Sequence, residues 1–239
     1  MLDLDRVTCF AIDNTKTIDD TIKALYTCMD VANFHQVKLV TSSKFVEKYS
    51  DELKDDGIIV EESCVPVTTR EEYGKFLLQQ QYKHIESEFC LSIQNHAFII
   101  NPSAWMDEYY DYDYIGAPWP ISERAYISPY GEHIRVGNGG FSFKSKKLME
   151  LPSKVDIPFP ITDDSEFYKT FGFYDTHEDG NICVHNRHIY EEHGCKIAPL
   201  DIAKYFSYET PLSENSNIVP FGFHHNLPRG IIVEGYTSR

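Results

Sequence analysis

Between residues 7 and 93 the chain alternates short apolar runs with amphipathic stretches, and this alternation constrains the fold more than any other feature of the sequence. Residues 7–12 (VTCFAI) are an apolar run that stops at Asp13-Asn14. Residues 17–33 then place Ile18, Ile22, Leu25, Tyr26 and Met29 on one face at helical spacing. Residues 37–40 (VKLV) end in Thr41-Ser42-Ser43, and a polar, helical connection leads to Gly57 and the run Ile58-Ile59-Val60. Thr69-Arg70-Glu71-Glu72 has the form of a capping box and opens a helix to about residue 85, with Tyr73, Phe76, Leu77 and Tyr82 on its apolar side. A fourth run, residues 89–93 (FCLSI), leads into Gln94-Asn95-His96. Such an order builds βαβ units, and with them an α/β sandwich whose central sheet is mostly parallel.

Beyond residue 100 the alternation stops. Turn-formers and aromatics crowd residues 101–120 and 137–140, and a short strand is expected at Phe141-Ser142-Phe143. One helix is expected from Glu178-Asp179 to Gly194, a glycine that suits the position just after a helix end. Residues 213–239 are polar and are expected to wrap back over the first part. No repeat, low-complexity tract or linker interrupts the 239 residues, so one domain is expected.

Charge and cysteine usage narrow the function. Acidic residues number 37 against 22 basic, a formal charge of −15 that repels a phosphate backbone or an anionic membrane, so neither is an expected partner. The six cysteines form no CxxC pair, which argues against a zinc knuckle or a disulfide framework and for a reducing, cytoplasmic setting. The opening MLDLDR carries acids where a signal peptide needs bases, and no apolar run approaches the ~20 residues of a membrane span.

An open parallel sheet binds ligands outside the carboxyl ends of its strands, which places Asp13-Asn14, Thr41-Ser42-Ser43 and Gln94-Asn95-His96 along one crevice. Neither GxGxxG nor GxxxxGK[ST] is present, so dinucleotide oxidoreductases and P-loop phosphotransferases lose their usual support. Four clusters could carry chemistry, and each has a plain structural alternative. His96 could ligate a metal through neutral imidazole, or be an ordinary strand-end histidine. Gly137-Asn138-Gly139-Gly140 could admit a ligand close to the backbone, or simply turn the chain. Glu178-Asp179 could supply a general base, or complement a helix dipole. In Phe221-Gly222-Phe223-His224-His225, adjacent histidines of a strand point to opposite faces, so one at most is expected to reach a given metal.

Taken in order, residues 94–105 (QNHAFIINPSAW), 112–119 (YDYIGAPW), 136–143 (VGNGGFSF), Glu178-Asp179, 206–209 (FSYE) and 220–224 (PFGFH) resemble the glycosyltransferase-like domain of unknown function 5672. VTCFAIDN, TIKAL and VKLVTS resemble that family's opening β-α-β unit. The resemblance implies a GT-A type fold, a Rossmann-like αβα sandwich with a nucleotide-binding half in residues 1–100 and an irregular acceptor-binding half in 101–239. It puts a DxD-like metal element on Gln94-Asn95-His96, with His96 where relatives usually carry Asp, and a second metal ligand on His224. Glu178-Asp179 resembles the ED pair of inverting enzymes, with Asp179 as the base and Glu178 as second choice. Asn138, Gly139, Gly140 and Trp119 resemble the loop and aromatic wall that cradle the donor sugar and the acceptor. Asp13 and Thr41 would contact the nucleoside, with Gln94 and Asn95 beside them on the donor side.

The implied activity is transfer of a sugar from a nucleoside diphosphate donor to a glycan or other hydroxyl acceptor, with Mn²⁺ or another divalent cation on His96 and His224. Two other readings use the same crevice. One is a non-catalytic sugar or nucleotide-sugar binding module, and the other a metal-dependent hydrolase.

Overall fold

Strand β1 (Leu2–Ile12) sets the frame, because successive side chains along it enter opposite layers. Cys9 and Ala11 share one core with Leu25 and Cys28 of helix α1 (Ile18–Met29) and with Tyr49 and Leu53 of helix α2 (Ser43–Asp55). Phe10 and Ile12 share the other with Phe76 and Leu77 of helix α3 (Arg70–Gln79). Helices therefore cover both faces of the sheet, as the alternating sequence implies. The computed structural model describes residues 1–121, 127, 131–159 and 177–233.

The remaining strands are β2 (Ala32–Thr41), β3 (Ile58–Glu62), β4 (Phe89–Ile93), β5 (Ala97–Ile99), β6 (Tyr114–Ile115), β7 (Phe141–Ser145), β8 (Ser207–Tyr208) and β9 (Gly222–His224). Six of the strands form one sheet in the order β3-β2-β1-β4-β7-β6, parallel from β3 to β4 and antiparallel at β7 and β6. The other three form a small sheet, β5-β9-β8, in which β9 runs antiparallel to β5. A Cβ on Gly222 would come within 2.1 Å of the Phe141 ring, so β9 lies directly on β7. The C-terminal segment thus crosses back as expected, and residues 234–239 lie outside the described residues.

Several boundaries differ from the expected ones for physical reasons. β1 begins five residues early because Leu2 already pairs with Ala32, a stretch whose only fully buried side chain, Leu4, stands among Asp3, Asp5 and Arg6. That same pairing ends α1 at Met29 instead of Asn33. The capping box forms, with Thr69 Oγ1 accepting the Glu72 N–H at 3.1 Å and Glu72 Oε2 accepting the Thr69 N–H at 3.0 Å. Its helix ends at Gln79, and a 3₁₀ turn follows at Gln81–His84.

The single helix expected over residues 178–194 is broken into three pieces: an α turn at Glu178–Gly180, a π-helical turn at Asn181–His185 and helix Arg187–Glu192. The Asn186 N–H donates to the Asn181 carbonyl at 2.9 Å, and the side-chain amides of both asparagines grip the Pro158 carbonyl at 2.9 and 3.1 Å. This shared acceptor holds the turn wide. Gly194, with φ 74°, does end the segment as its position implied. Among the described residues all six cysteines are free, and no helix is long and apolar enough to cross a membrane.

Candidate active site

Strand order reverses at β1, which has β2 on one side and β4 on the other, and the crevice outside the carboxyl ends of β1 and β4 is where such sheets bind ligands. Two adjoining cavities of about 300 and 310 Å³ open there, sharing Arg70, Tyr73 and Gln94. The first is walled by Asp13, Asn14, Thr15, Thr68 and Asn95. The second holds Trp119, Asn138, Gly139, Gly140, Glu178, Asp179, Glu209, His224 and His225.

In the first cavity the carboxylate of Asp13 is fully engaged inside the protein. Oδ1 accepts the N–H and hydroxyl of Thr15 at 2.8 and 2.7 Å, and Oδ2 accepts the hydroxyls of Thr17 and Thr21 at 2.9 and 2.7 Å. Thr41 is completely buried, and its hydroxyl donates to the Asp13 carbonyl at 2.6 Å. Thr41 lines neither cavity, contrary to its expected contact with the nucleoside, because the strand end turns its hydroxyl onto Asp13. The two residues build the β1–α1 loop as a rigid knot.

The imidazoles meet because of strand register. Ala97 of β5 pairs with His224 of β9, so His96 and His224, 128 residues apart, bring their Nε2 atoms to 3.0 Å. Glu209 Oε1 lies 2.9 Å from His224 Nδ1, and a proton there leaves the lone pair of the neutral ring on Nε2. Burial raises the Glu209 carboxyl, yet hydrogen bonds from His224 and Asn138 hold it below the ordinary carboxylate range. Gln94 Nε2 donates to the Tyr73 hydroxyl at 3.0 Å, and Gln94 Oε1 faces His224 Nε2 at 3.2 Å. Two acceptors so close are relieved by a cation between them, so these residues fit a divalent metal. Burial and the nearby Glu178 carboxylate push the Tyr73 phenol up, keeping it a neutral donor. His225 departs from expectation: its ring stacks on His96 with centroids 3.7 Å apart instead of pointing away from His224. The positive φ of 61° at His225 breaks the strand alternation that the expectation assumed.

Gly139 and Gly140 separate the imidazoles from the acids. A Cβ on Gly140 would sit 2.1 Å from His224 Nε2, and one on Gly139 1.8 Å from Glu178 Oε1. Their need for glycine is thus close packing of these side chains, while the positive φ of the loop falls on Asn138, at 68°. Asn138 is buried, its Oδ1 accepting the Gly140 N–H at 3.0 Å and its Nδ2 lying 3.0 Å from His224 Nδ1. Asp179 is half-buried, with Oδ2 accepting the Gly139 N–H at 3.1 Å and Oδ1 the Gly180 N–H at 2.8 Å. Glu178 is buried, 3.6 Å from the Lys144 ammonium, itself 1 % exposed. Burial raises the Glu178 carboxyl above its ordinary range, outweighing the pull of Lys144, and Asp179 adds to the rise. Trp119 is 3 % exposed, with its ring against Gly137, so little of it reaches the cavity it lines.

The sequence reading thus missed Glu209, Lys144 and Arg70, and set His225 aside from His224 on strand alternation. Glu209 stood in the FSYE motif without a role, and Lys144 lies on a strand where only burial reveals it. Arg70 is visible in the sequence only as the first residue of a capped helix, and nothing there shows that it borders both cavities.

Comparison with known proteins agrees with this architecture. The chain superposes on mouse xyloside xylosyltransferase 1 in its apo form with a TM-score of 0.55 at 12% identity, over 94% of this chain and 98% of that one. It is similar also to a galactosyltransferase, LgtC, in complex with donor and acceptor sugar analogues, with a TM-score of 0.50 at 12% identity, over 91% of this chain and 86% of that one. These likenesses show a GT-A type fold. No curated protein matches the sequence. The sequence pattern of the family described as protein of unknown function DUF5672 matches residues 58–224, from β3 to the last residue of β9, and the chain belongs to that family.

Proposed function

We propose that the chain is a glycosyltransferase that moves a sugar from a nucleoside diphosphate donor to an acceptor hydroxyl with the help of a divalent cation such as Mn²⁺. The observation that carries this reading is the convergence on one cavity of His224, which holds His96 at 3.0 Å behind it, with Glu178-Asp179, the glycine pair lying between them. The nucleoside occupies the cavity beside Asn14 and Asn95. The diphosphate passes Arg70, Tyr73 and Gln94, the residues common to both cavities, where the guanidinium and the phenolic donor offset its charge. His96 and His224 would hold the cation, with Glu209 orienting His224 and Asn138 donating to Glu209. Bound there, the cation supplies Lewis-acid stabilisation to the departing diphosphate.

The acceptor hydroxyl attacks the anomeric carbon as the bond to the diphosphate breaks, and Asp179 takes its proton. Asp179 suits this better than Glu178 because it is the more open of the two, and the N–H groups of Gly139 and Gly180 fix its carboxylate. A single displacement of this kind inverts the anomeric centre. The test is incubation with a panel of nucleotide sugars, with and without Mn²⁺ and acceptors. A transferase releases nucleoside diphosphate faster when an acceptor is added, and the product anomer is read by NMR. Release that ignores the acceptor assigns a hydrolase; binding without release assigns a binding module.

A further inference from the structure

His225 stands where a continuing strand would turn it away from His224, yet its φ is 61° and the Asn226 N–H donates to the His224 carbonyl at 2.7 Å. It is therefore the centre of a three-residue γ-turn, a rare conformation for a residue with a side chain. Such a residue persists only where its surroundings hold it. Here the His225 N–H donates to the His96 carbonyl at 3.1 Å, and Asn226 Nδ2 donates to the Glu209 carbonyl at 3.0 Å. The turn swings the third imidazole to the same side as the other two. Its ring centroid lies 3.7 Å from that of His96 and 4.0 Å from that of His224, and the ligating nitrogens of all three lie within 4.8 Å of one another.

The geometry points to His225 as a third imidazole ligand of the cation on His96 and His224, making a three-imidazole site, with the neutral Gln94 Oε1 beside it, that takes Zn²⁺, Co²⁺ or Ni²⁺ ahead of Mg²⁺, with Mn²⁺ the weakest of the transition ions. This rests on the metal reading proposed above. Imidazoles favour the later divalent transition metals, whereas Mg²⁺ demands oxygen ligands. The carboxylate nearest the three rings, Glu209, sits behind His224 on Nδ1. Metal–nitrogen bonds of about 2.0–2.1 Å bring tetrahedral ligand atoms about 3.3 Å apart. The His96 and His224 nitrogens, at 3.0 Å, are close to that spacing already. The His225 ring, now 17° from parallel to that of His96, turns about its Cβ–Cγ bond to join them.

Titration of the full chain with Co²⁺, followed by visible absorption and by competition with Zn²⁺ and Mg²⁺, tests the assignment. The wild-type chain should bind Co²⁺, with Zn²⁺ displacing it and a large excess of Mg²⁺ failing to. His225→Gly keeps the positive φ while deleting the imidazole, and should weaken Co²⁺ roughly tenfold or more and alter its absorption, with free imidazole restoring both. Unchanged affinity and spectrum in His225→Gly, beside loss of binding in His96→Ala and His224→Ala, would remove His225 from the site and leave the two-histidine reading standing. A weakening that imidazole does not reverse, with the spectrum unaltered, would assign His225 to holding the turn and overturn the proposal. Failure of the wild-type chain to bind Co²⁺ or Zn²⁺ would overturn both readings.

Discussion

One added carbon at either glycine of the cavity collides with a side chain of the candidate site. Gly140→Ala must displace the His224 imidazole, 2.1 Å from the added Cβ, and Gly139→Ala the Glu178 carboxylate, 1.8 Å from it. Overpacking of this kind costs roughly 1–3 kcal/mol. Calorimetric titration with Co²⁺ should show Gly140→Ala losing affinity, while Gly139→Ala, which leaves the imidazoles alone, retains it. Glu178 makes a prediction of opposite sign for stability. Its folded-state titration lies above the unfolded value, so its contribution is complete below the unfolded pKa and is lost as pH rises through the folded one. At neutral pH, above the unfolded value, that contribution is diminished, and Glu178→Gln should melt higher than wild type at pH 7. That gap should close as the buffer approaches about pH 4.5, the ordinary carboxylate range. A lower melting temperature for the variant at neutral pH would show Lys144 to be the stronger influence. Asp179→Asn, by contrast, should lower kcat by roughly 10²-fold or more with donor affinity little changed, as for a group acting in the transition state. Steady-state kinetics beside donor titrations separate these effects.

At the scale of elements, the strands that carry the site were legible where apolar runs were uninterrupted and hidden where charge masked them. β4 begins and ends where the run FCLSI does, whereas β1 was read five residues short because Asp3, Asp5 and Arg6 flank its one buried leucine. The helix after Glu178 was legible as helical spacing but not as a π-helical turn, because its cause is a carbonyl of Pro158, more than twenty residues away in sequence. The site was legible through its motifs, Gln94-Asn95-His96 and His224 among them. Its internal bonding was not: Asp13 and Thr41 sit at strand ends as expected, yet the Asp13 carboxylate is taken up by Thr15, Thr17 and Thr21, and the Thr41 hydroxyl by the Asp13 carbonyl. Thr41→Val keeps the shape and strands the Asp13 carbonyl without its donor, which should cost roughly 1–3 kcal/mol. Thermal melting checks this, and an unchanged melting temperature would show that the knot is held by its other threonines.

Over the whole molecule, the αβα layering follows from alternation that any reader of the sequence can see, while the joining of the two ends rests on pairings that no local pattern announces. β5 has β9 as its strand partner, and the latter arrives more than a hundred residues later. Closing so long a loop is entropically costly and comes late unless other contacts precede it. The aromatic cluster of Trp105, Phe141, Phe143, Phe206 and Phe221 supplies such contacts, since it spans the segments on either side of the closure. A chain ending before residue 222 would therefore keep every residue that walls the first cavity while lacking both His224 and His225, so the two cavities depend on opposite ends of the sequence.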